Sequence, residues 1–334
     1  MHRGDLTKNN TALVSNWLFF VAGMVLCMAV IGAITRLTES GLSITQWQPI
    51  SGILPPLNDA DWDRAFALYR ETPEFRDKHF WMEMADFKQI FFWEWLHRLW
   101  GRLIGVVYAL PLLWFWVTKR IPEGYKAPLL GLLLLGGMQG VMGWVMVQSG
   151  LVDRPSVSHY RLAAHLSLAF ILFGSLLWTA FSLRQAAAPK ASFCIRRHGW
   201  SALALLSLTI VWGAFTAGMD GGMVYNTWPL MDGRLIPAEA GVVSNLISNP
   251  AGAQFVHRWI AIAAAAAVLT FAWRVKNGPL AGMVFVQVAL GVATVISQVS
   301  LPLAALHQAG AFVLIALMLH ALHRQGGARS SVPA

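Results

Sequence analysis

Charged side chains are scarce in this sequence. They make up only 12% of the 334 residues, and 25 lysines and arginines outnumber 16 acids. With 56% hydrophobic residues and a positive mean hydropathy, that scarcity excludes an ordinary soluble domain. Cysteine is almost missing too. Cys27 falls inside an apolar run and Cys194 in a polar stretch, so the pair offers neither a disulfide nor a metal-ligand spacing, and both read as ordinary buried or neutral residues. A cleavable leader is also lacking: Met1 to Asn10 is polar, and the apolar run behind it is long enough to span by itself.

What the chain does have is hydrophobic length. A helix crosses a bilayer with about 20 apolar residues, and eight stretches qualify: roughly 14–35, 95–117, 127–147, 160–183, 199–218, 254–273, 279–298 and 303–322. They predict an all-α, polytopic membrane protein, with little chain left for a soluble domain. Basic residues orient it. The N-terminal tail (Arg3, Lys8), the 2–3 loop (Lys119, Arg120, Lys126), the 4–5 loop (Arg184, Lys190, Arg196, Arg197), the 6–7 loop (Arg274, Lys276) and the C-terminal tail (Arg324, Arg329) are short and basic, which predicts that both termini are cytoplasmic. The 3–4 loop has only Arg154 and Arg161, the 5–6 loop only Arg234, and the 7–8 loop none. Those loops and the long 1–2 loop, residues 36–92, are therefore expected outside. Basic inner loops beside anionic lipid account for the net charge of +9 without any nucleic-acid partner.

The chain repeats itself. Gly32-Ala33-Ile34-Thr35 matches Gly213-Ala214-Phe215-Thr216, and at the same offset Gly41 matches Gly222, Trp47 Trp228, Gly52 Gly233, Leu54 Leu235 and Pro56 Pro237. Glu94-Trp95-Leu96-His97-Arg98 then aligns with Gln254-Phe255-Val256-His257-Arg258, and Gln139 and Gly143 with Gln287 and Gly291. Two four-helix halves follow, 1–183 and 198–334, joined by a polar linker at 184–197. Four spans per half is an even number, so a pseudo-twofold axis along the membrane normal should relate them.

Each half carries two intramembrane histidines, His97 and His165, then His257 and His307. All four are expected within the first turn or two of spans 2, 4, 6 and 8, near the outer face. Ligands at matched depth can clamp an iron from opposite sides within each half. Zinc or copper fits less well, because two imidazoles leave a small ion under-coordinated and no cysteine or carboxylate cluster completes the set; a heme brings four nitrogens of its own. Arg98 and Arg258 are candidates to pair with propionates, against the alternative of anchors that set helix depth. His2, His79, His159, His198, His320 and His323 fall in tails, loops or span ends and read as interfacial, with His79 and His159 on the side from which a site can be approached. Gly101, Gly105, Gly136, Gly137, Gly140 and Gly143 suit close helix packing or room for a porphyrin.

The halves differ at one telling place, Glu94 against Gln254. Each lies three residues before its histidine, hence on the same helix face. A carboxylate near the membrane interior is costly unless used or paired, which suggests chemistry in the first half and a structural or electron-relay heme in the second. The competing reading is an interfacial glutamate paired with Arg98 or Lys88.

The run Gly32 to Pro56, with Thr35-Arg36-Leu37-Thr38, Ser40-Gly41-Leu42-Ser43, Trp47 and Pro55-Pro56, followed by Phe87-Lys88-Gln89-Ile90-Phe91 and Glu94 to Arg102, closely resembles heme A synthase, in the branch of alphaproteobacteria and mitochondria. The resemblance covers nearly the whole chain. Another branch carries a cysteine pair in the first outer loop, which residues 36–92 lack, and Asp86 stands where the pattern has glutamate. The resemblance implies oxidation of a methyl group of heme O to the formyl group of heme A through an alcohol, with water as the oxygen source, for terminal oxidase biogenesis. It implies that His97 and His165 hold the substrate heme, that His257 and His307 hold a resident heme b, and that Glu94 is catalytic. Heme O synthase and oxidase-assembly factors are the implied partners, with an electron acceptor that the sequence does not identify. The alternative is a bis-histidine, cytochrome b-like electron carrier without porphyrin chemistry, which would favour hemes toward opposite faces. A repeat-built transporter would need a polar midplane site that is not seen here.

Overall fold

The computed structural model describes residues 3–47, 51–152, 155–184 and 191–326. Residues 185–190 of the linker expected at 184–197, together with His2, Arg154 and Arg329, lie outside them. Among the described residues ten α-helices follow in order: α1 (Arg3–Leu37), α2 (Asp59–Arg70), α3 (Met84–Val117), α4 (Lys126–Val152), α5 (His159–Arg184), α6 (Phe193–Gly218), α7 (Asn245–Ser248), α8 (Pro250–Arg274), α9 (Gly278–Ile296) and α10 (Leu301–Gln325). Eight of them, all but α2 and α7, are long and apolar enough to cross a membrane.

Packing follows the repeat. In the first half α1 and α4 each touch α3 and α5; in the second, α6 and α9 each touch α8 and α10. The halves meet where α1 and α5 pack on α10 and where α5 packs on α6. At that seam Phe170 of α5 stacks on Phe312 of α10 with ring centroids 3.9 Å apart, and Gln308 Nε2 donates to the Ala29 carbonyl at 2.7 Å. Cys27 and Cys194 are both exposed free thiols rather than buried ones.

Helix α3 departs most from expectation. It starts at Met84, eleven residues before the apolar run, because the Glu83 amide donates to Asp86 Oδ2 at 3.1 Å and so caps the helix with polar residues that hydropathy counts as loop. Pro111 stands in its interior and cannot donate to the carbonyl four residues back. Trp17 of α1 makes good that loss, its Nε1–H donating to the Val107 carbonyl at 2.9 Å. A buried carbonyl in hydrocarbon needs such a partner. Trp17→Phe should therefore destabilise the bundle by about 1–3 kcal/mol, read as a lower unfolding temperature in detergent; an unchanged temperature would mean that Val107 finds another donor.

The long loop between α1 and α3 is a small folded unit. Asn58 caps α2 by accepting the Asp61 amide at 2.9 Å, and Trp62, Ala65, Phe66 and Tyr69 fall on one face of that helix at helical spacing. That face packs with Phe75 on Phe87, Ile90 and Phe91 at the head of α3. Trp62, Phe66, Tyr69 and Phe75 of the loop are thus partners in this core, whereas Phe80 and Trp81 are exposed.

Candidate functional site

His165, His257 and His307 sit six or seven residues past the starts of α5, α8 and α10, within the first two turns as expected, whereas His97 is in the fourth turn of α3 because that helix begins early, at Met84. Each imidazole rests against a glycine of the preceding spanning helix. A Cβ on Gly32 of α1 would come within 3.0 Å of His97 Cε1, one on Gly143 of α4 within 3.2 Å of His165 Cε1, and ones on Gly213 of α6 and Gly291 of α9 within 2.9 Å of the Cε1 atoms of His257 and His307. These are the glycines that the internal repeat aligns. Of the others singled out, Gly105, Gly136, Gly137 and Gly140 face open space.

The aligned glutamines serve the same rings. Gln139 Nε2 donates to the His165 carbonyl at 3.1 Å and lies 3.4 Å from His165 Nε2; Gln287 Nε2 donates to the His307 carbonyl at 3.0 Å and lies 3.2 Å from His307 Nδ1. His257 Nδ1–H donates to the Thr209 carbonyl at 3.0 Å, which leaves Nε2 with its lone pair. His97 Nδ1 and His165 Nδ1 are buried without hydrogen-bond partners among the described residues. The second pair is therefore oriented by polar contacts at Nδ1, and the first is not.

The donor set suits a macrocycle-bound iron. The ring centroids of His257 and His307 are 6.5 Å apart, close to the separation of about 6 Å that two imidazoles sharing one metal adopt with metal–nitrogen bonds of about 2 Å. Among the described residues no three histidines, cysteines or acids gather as a metal site. Two imidazoles alone satisfy an ion only if another group supplies the remaining ligands. The residues present thus fit a heme.

Glu94 is 3% exposed and fully engaged. Its Oε2 accepts from the Ser43 hydroxyl at 2.8 Å and the Ile44 amide at 2.7 Å, and its Oε1 accepts from Arg98 Nη2 at 2.6 Å. The pairing with Arg98 expected for an interfacial glutamate is present, whereas Lys88 lies over the Trp62 ring instead. The same Arg98 guanidinium donates to the Ile44 and Gln46 carbonyls. In the second half Arg258 donates to the Tyr225 and Thr227 carbonyls at 2.7 and 2.8 Å, one repeat offset away, and Gln254 Nε2 donates to Tyr225 at 3.0 Å. Trp47 and Trp228 lie over these two guanidinium groups. Each arginine therefore latches the chain that leaves α1 or α6, a role the sequence did not reveal, because backbone acceptors carry no residue signature. Arg258 Nε is buried without a partner among the described residues. The first half also has Arg102 where the second has Ile262, and Arg98 and Arg102 line a cavity of about 320 Å³ with Ile44, Gln46, Phe91 and Trp95.

The other histidines are placed elsewhere. His79 is buried in the long loop, His323 bonds with Ser182, His198 with Ala267, and His159 packs against Tyr160 and Phe215.

Residues 15–319 match the family described as cytochrome oxidase assembly protein. A heme A synthase of Rhodospirillum centenum is 53% identical over 327 residues, covering 93% of this chain and 87% of that protein. Heme A synthases of Mesorhizobium japonicum and Maricaulis maris are each 43% identical, over 96% and 94% of this chain and 92% and 96% of their own lengths. The paired histidine geometry and these full-length matches agree, and the chain belongs to the cytochrome oxidase assembly protein family, among whose members are heme A synthases.

Proposed function

We propose that this chain is a heme A synthase of a cell inner membrane, oxidising a methyl substituent of heme O to the formyl group of heme A by way of an alcohol, for terminal oxidase assembly. The observation that carries the assignment of roles is a break in the repeat beside the paired histidines: a buried, three-donor carboxylate, Glu94, where the second half has Gln254. In this reading the first half, residues 1–183, receives the substrate through His97 and His165, whose Nδ1 atoms are not committed to protein partners among the described residues. The second half, 198–334, keeps a resident heme b between His257 and His307, whose rings are oriented by Thr209 and Gln287. When bound there, heme b accepts electrons one at a time. The long loop faces the outside of the cell, in keeping with the basic residues on the opposite loops.

Glu94 is the catalytic carboxylate. Ser43, Ile44 and Arg98 fix both of its oxygens, so it meets the substrate in one orientation. From there it takes the proton of an attacking water or stabilises positive charge at the reacting carbon. Water supplies the oxygen, because two histidines on the substrate iron leave no open position for dioxygen. Arg258, with Nε–H uncommitted among the described residues, offers one donor to a propionate, while Arg98 serves first as the loop latch. Heme O synthase and oxidase-assembly factors are the partners that such a role requires.

The test is to supply the expressed chain with heme O in labelled water, extract the hemes and separate them by chromatography. Heme A carrying the label is expected before exchange of the aldehyde with solvent is complete. Label arriving from gaseous oxygen would overturn the water route, and extraction of heme b alone would favour the electron carrier.

A further inference from the structure

The long loop holds four titratable side chains, three of them buried, that the reaction described above does not use. Glu74, Tyr69 and His79 are 4%, 0% and 6% exposed, and Glu39, just past the end of α1, is partly open to solvent. They are joined end to end. Tyr69 Oη donates to Glu74 Oε2 at 3.0 Å and lies 2.6 Å from His79 Nδ1, while His79 Nε2 lies 3.2 Å from Glu39 Oε2. Lys78 pairs with the other oxygen of Glu39. A chain of hydroxyl, imidazole and carboxyl groups, each within hydrogen-bond reach of the next and open to water at the Glu39 end, has the parts of a proton conductor.

We propose that Glu74, Tyr69, His79 and Glu39 form a proton relay that carries protons from the neighbourhood of Glu94 to the aqueous surface of the long loop. The inference rests on the heme A synthase reading. Turning a methyl group and one water into an aldehyde releases four protons along with four electrons, and the electrons leave to an oxidant of the one-electron metal-centre class. Protons left beside a buried carboxylate would stop its next turn, so an exit is required. The second half, with Gln254 in place of Glu94, has a shorter loop in which Asp220 aligns with Glu39 but Tyr69, Glu74 and His79 have no aligned counterpart.

The two ends of the chain hold protons to different degrees. Burial pushes Glu74 up to about 8, with the negative charges of Glu94 and Glu39 adding to that, against the opposing effects of the Tyr69 hydrogen bond and Lys78. It is thus a carboxyl that gains and loses a proton near neutral pH. Glu39 is held down at about 2 by His79 and Lys78, against its partial burial, so the solvent end stays ionised and passes protons on to water. Burial and the neighbouring Glu74 raise Tyr69, which therefore serves as a hydroxyl that hands protons along rather than as a phenolate. Ile44, whose amide donates to Glu94, packs against the same apolar cluster as the Tyr69 ring, which brings the inner end of the chain beside Glu94. Arg70, next in sequence to Tyr69, is turned away onto the Phe66 and Phe75 rings.

Tyr69→Phe tests the relay, since it removes only the hydroxyl and leaves the ring stacked on Phe87. Heme A formation should slow by about 10-fold or more and lose its inflection with pH near the Glu74 value, with the heme absorption spectrum unchanged. In parallel, infrared spectroscopy of the purified wild type at neutral pH should contain a protonated-carboxyl band that Glu74→Gln abolishes. A Tyr69→Phe variant that matches wild type at every pH overturns the relay alone, as does a carboxyl band that survives Glu74→Gln. Should Tyr69→Phe fail to accumulate, His79→Gln interrupts the same chain and carries the same expectation. Wild-type protein that makes no heme A overturns the functional reading itself, and the relay with it.

Discussion

Glu94→Gln should lower heme A formation by about 100-fold or more and leave heme O or its alcohol in the protein, with both heme sites still filled. Extracted hemes separated by chromatography give the ratio directly, and the absorption spectrum of the reduced protein reports the histidine-ligated sites. The substitution exchanges one oxygen for an amide nitrogen, so side-chain volume and reach barely change. What it removes is the charge and the proton-accepting capacity.

The obvious objection is that a neutral amide at this position would strand Arg98, since breaking a buried ion pair typically costs about 3–5 kcal/mol. The second half of the same chain answers it. There Gln254 is 1% exposed, Arg258 has no carboxylate among its hydrogen-bond partners in the described residues, and the guanidinium is held by the Tyr225 and Thr227 carbonyls. Arg98 already donates to the equivalent carbonyls of Ile44 and Gln46, so it keeps its anchors when the glutamate is replaced. The variant should therefore accumulate like wild type. Heme A made at a near-normal rate by Glu94→Gln would remove Glu94 from the chemistry and leave it as a structural partner of Arg98.

Why the repeat was legible and the site's furniture was not follows from what a single sequence encodes. Spanning helices announce themselves by apolar length, and the register from Gly32 to Pro56 against Gly213 to Pro237 made the two halves visible before any coordinates. The histidines and the Glu94/Gln254 difference stood out because polar groups are rare in such segments. The start of α3 was hidden because its cap, Glu83 with Asp86, and its first two turns are built from residues that read as loop by hydropathy; the departure at Asp86 was noticed without its purpose. The face of α2 is only half legible: Trp62, Phe66 and Tyr69 have helical spacing, but the surface they cover, Phe87, Ile90 and Phe91, lies on another helix. The latching of the loops by Arg98 and Arg258 could not be read at all, because their acceptors are main-chain carbonyls. The repeat aligns the glycines, but their purpose is not legible, since the imidazole each one faces comes from another helix.

Those glycines carry the second large prediction. In an exposed or lipid-facing stretch of helix, glycine to alanine stabilises by up to about 1 kcal/mol, so alanine at Gly291 would be favoured were nothing opposite. Here the new Cβ would stand 2.9 Å from His307 Cε1, inside contact distance of a rigid ring that has no flexible end to swing aside. The ring must tilt relative to that of His257, whose centroid is 6.5 Å away. Its hydrogen bond from Gln287 must stretch as well. Disturbing the support of a metal-ligating histidine typically weakens metal binding by about 10–100-fold. Gly291→Ala should therefore strip heme from the second half, seen as a halved heme content and loss of one of the two bis-histidine components in the reduced spectrum. Gly282→Ala, on the same helix with nothing within 4 Å of its Cβ, should leave both components intact and serves as the matched control. In the first half Gly143→Ala meets His165 at 3.2 Å, a looser fit beside a ring whose Nδ1 has no partner to lose among the described residues. The milder clash predicts a smaller loss there, shown as weaker retention of heme O with the second-half heme undisturbed. Equal and full heme content in Gly291→Ala and Gly282→Ala would mean that the imidazole is not held by its glycine, and that His307 finds its orientation from Gln287 alone.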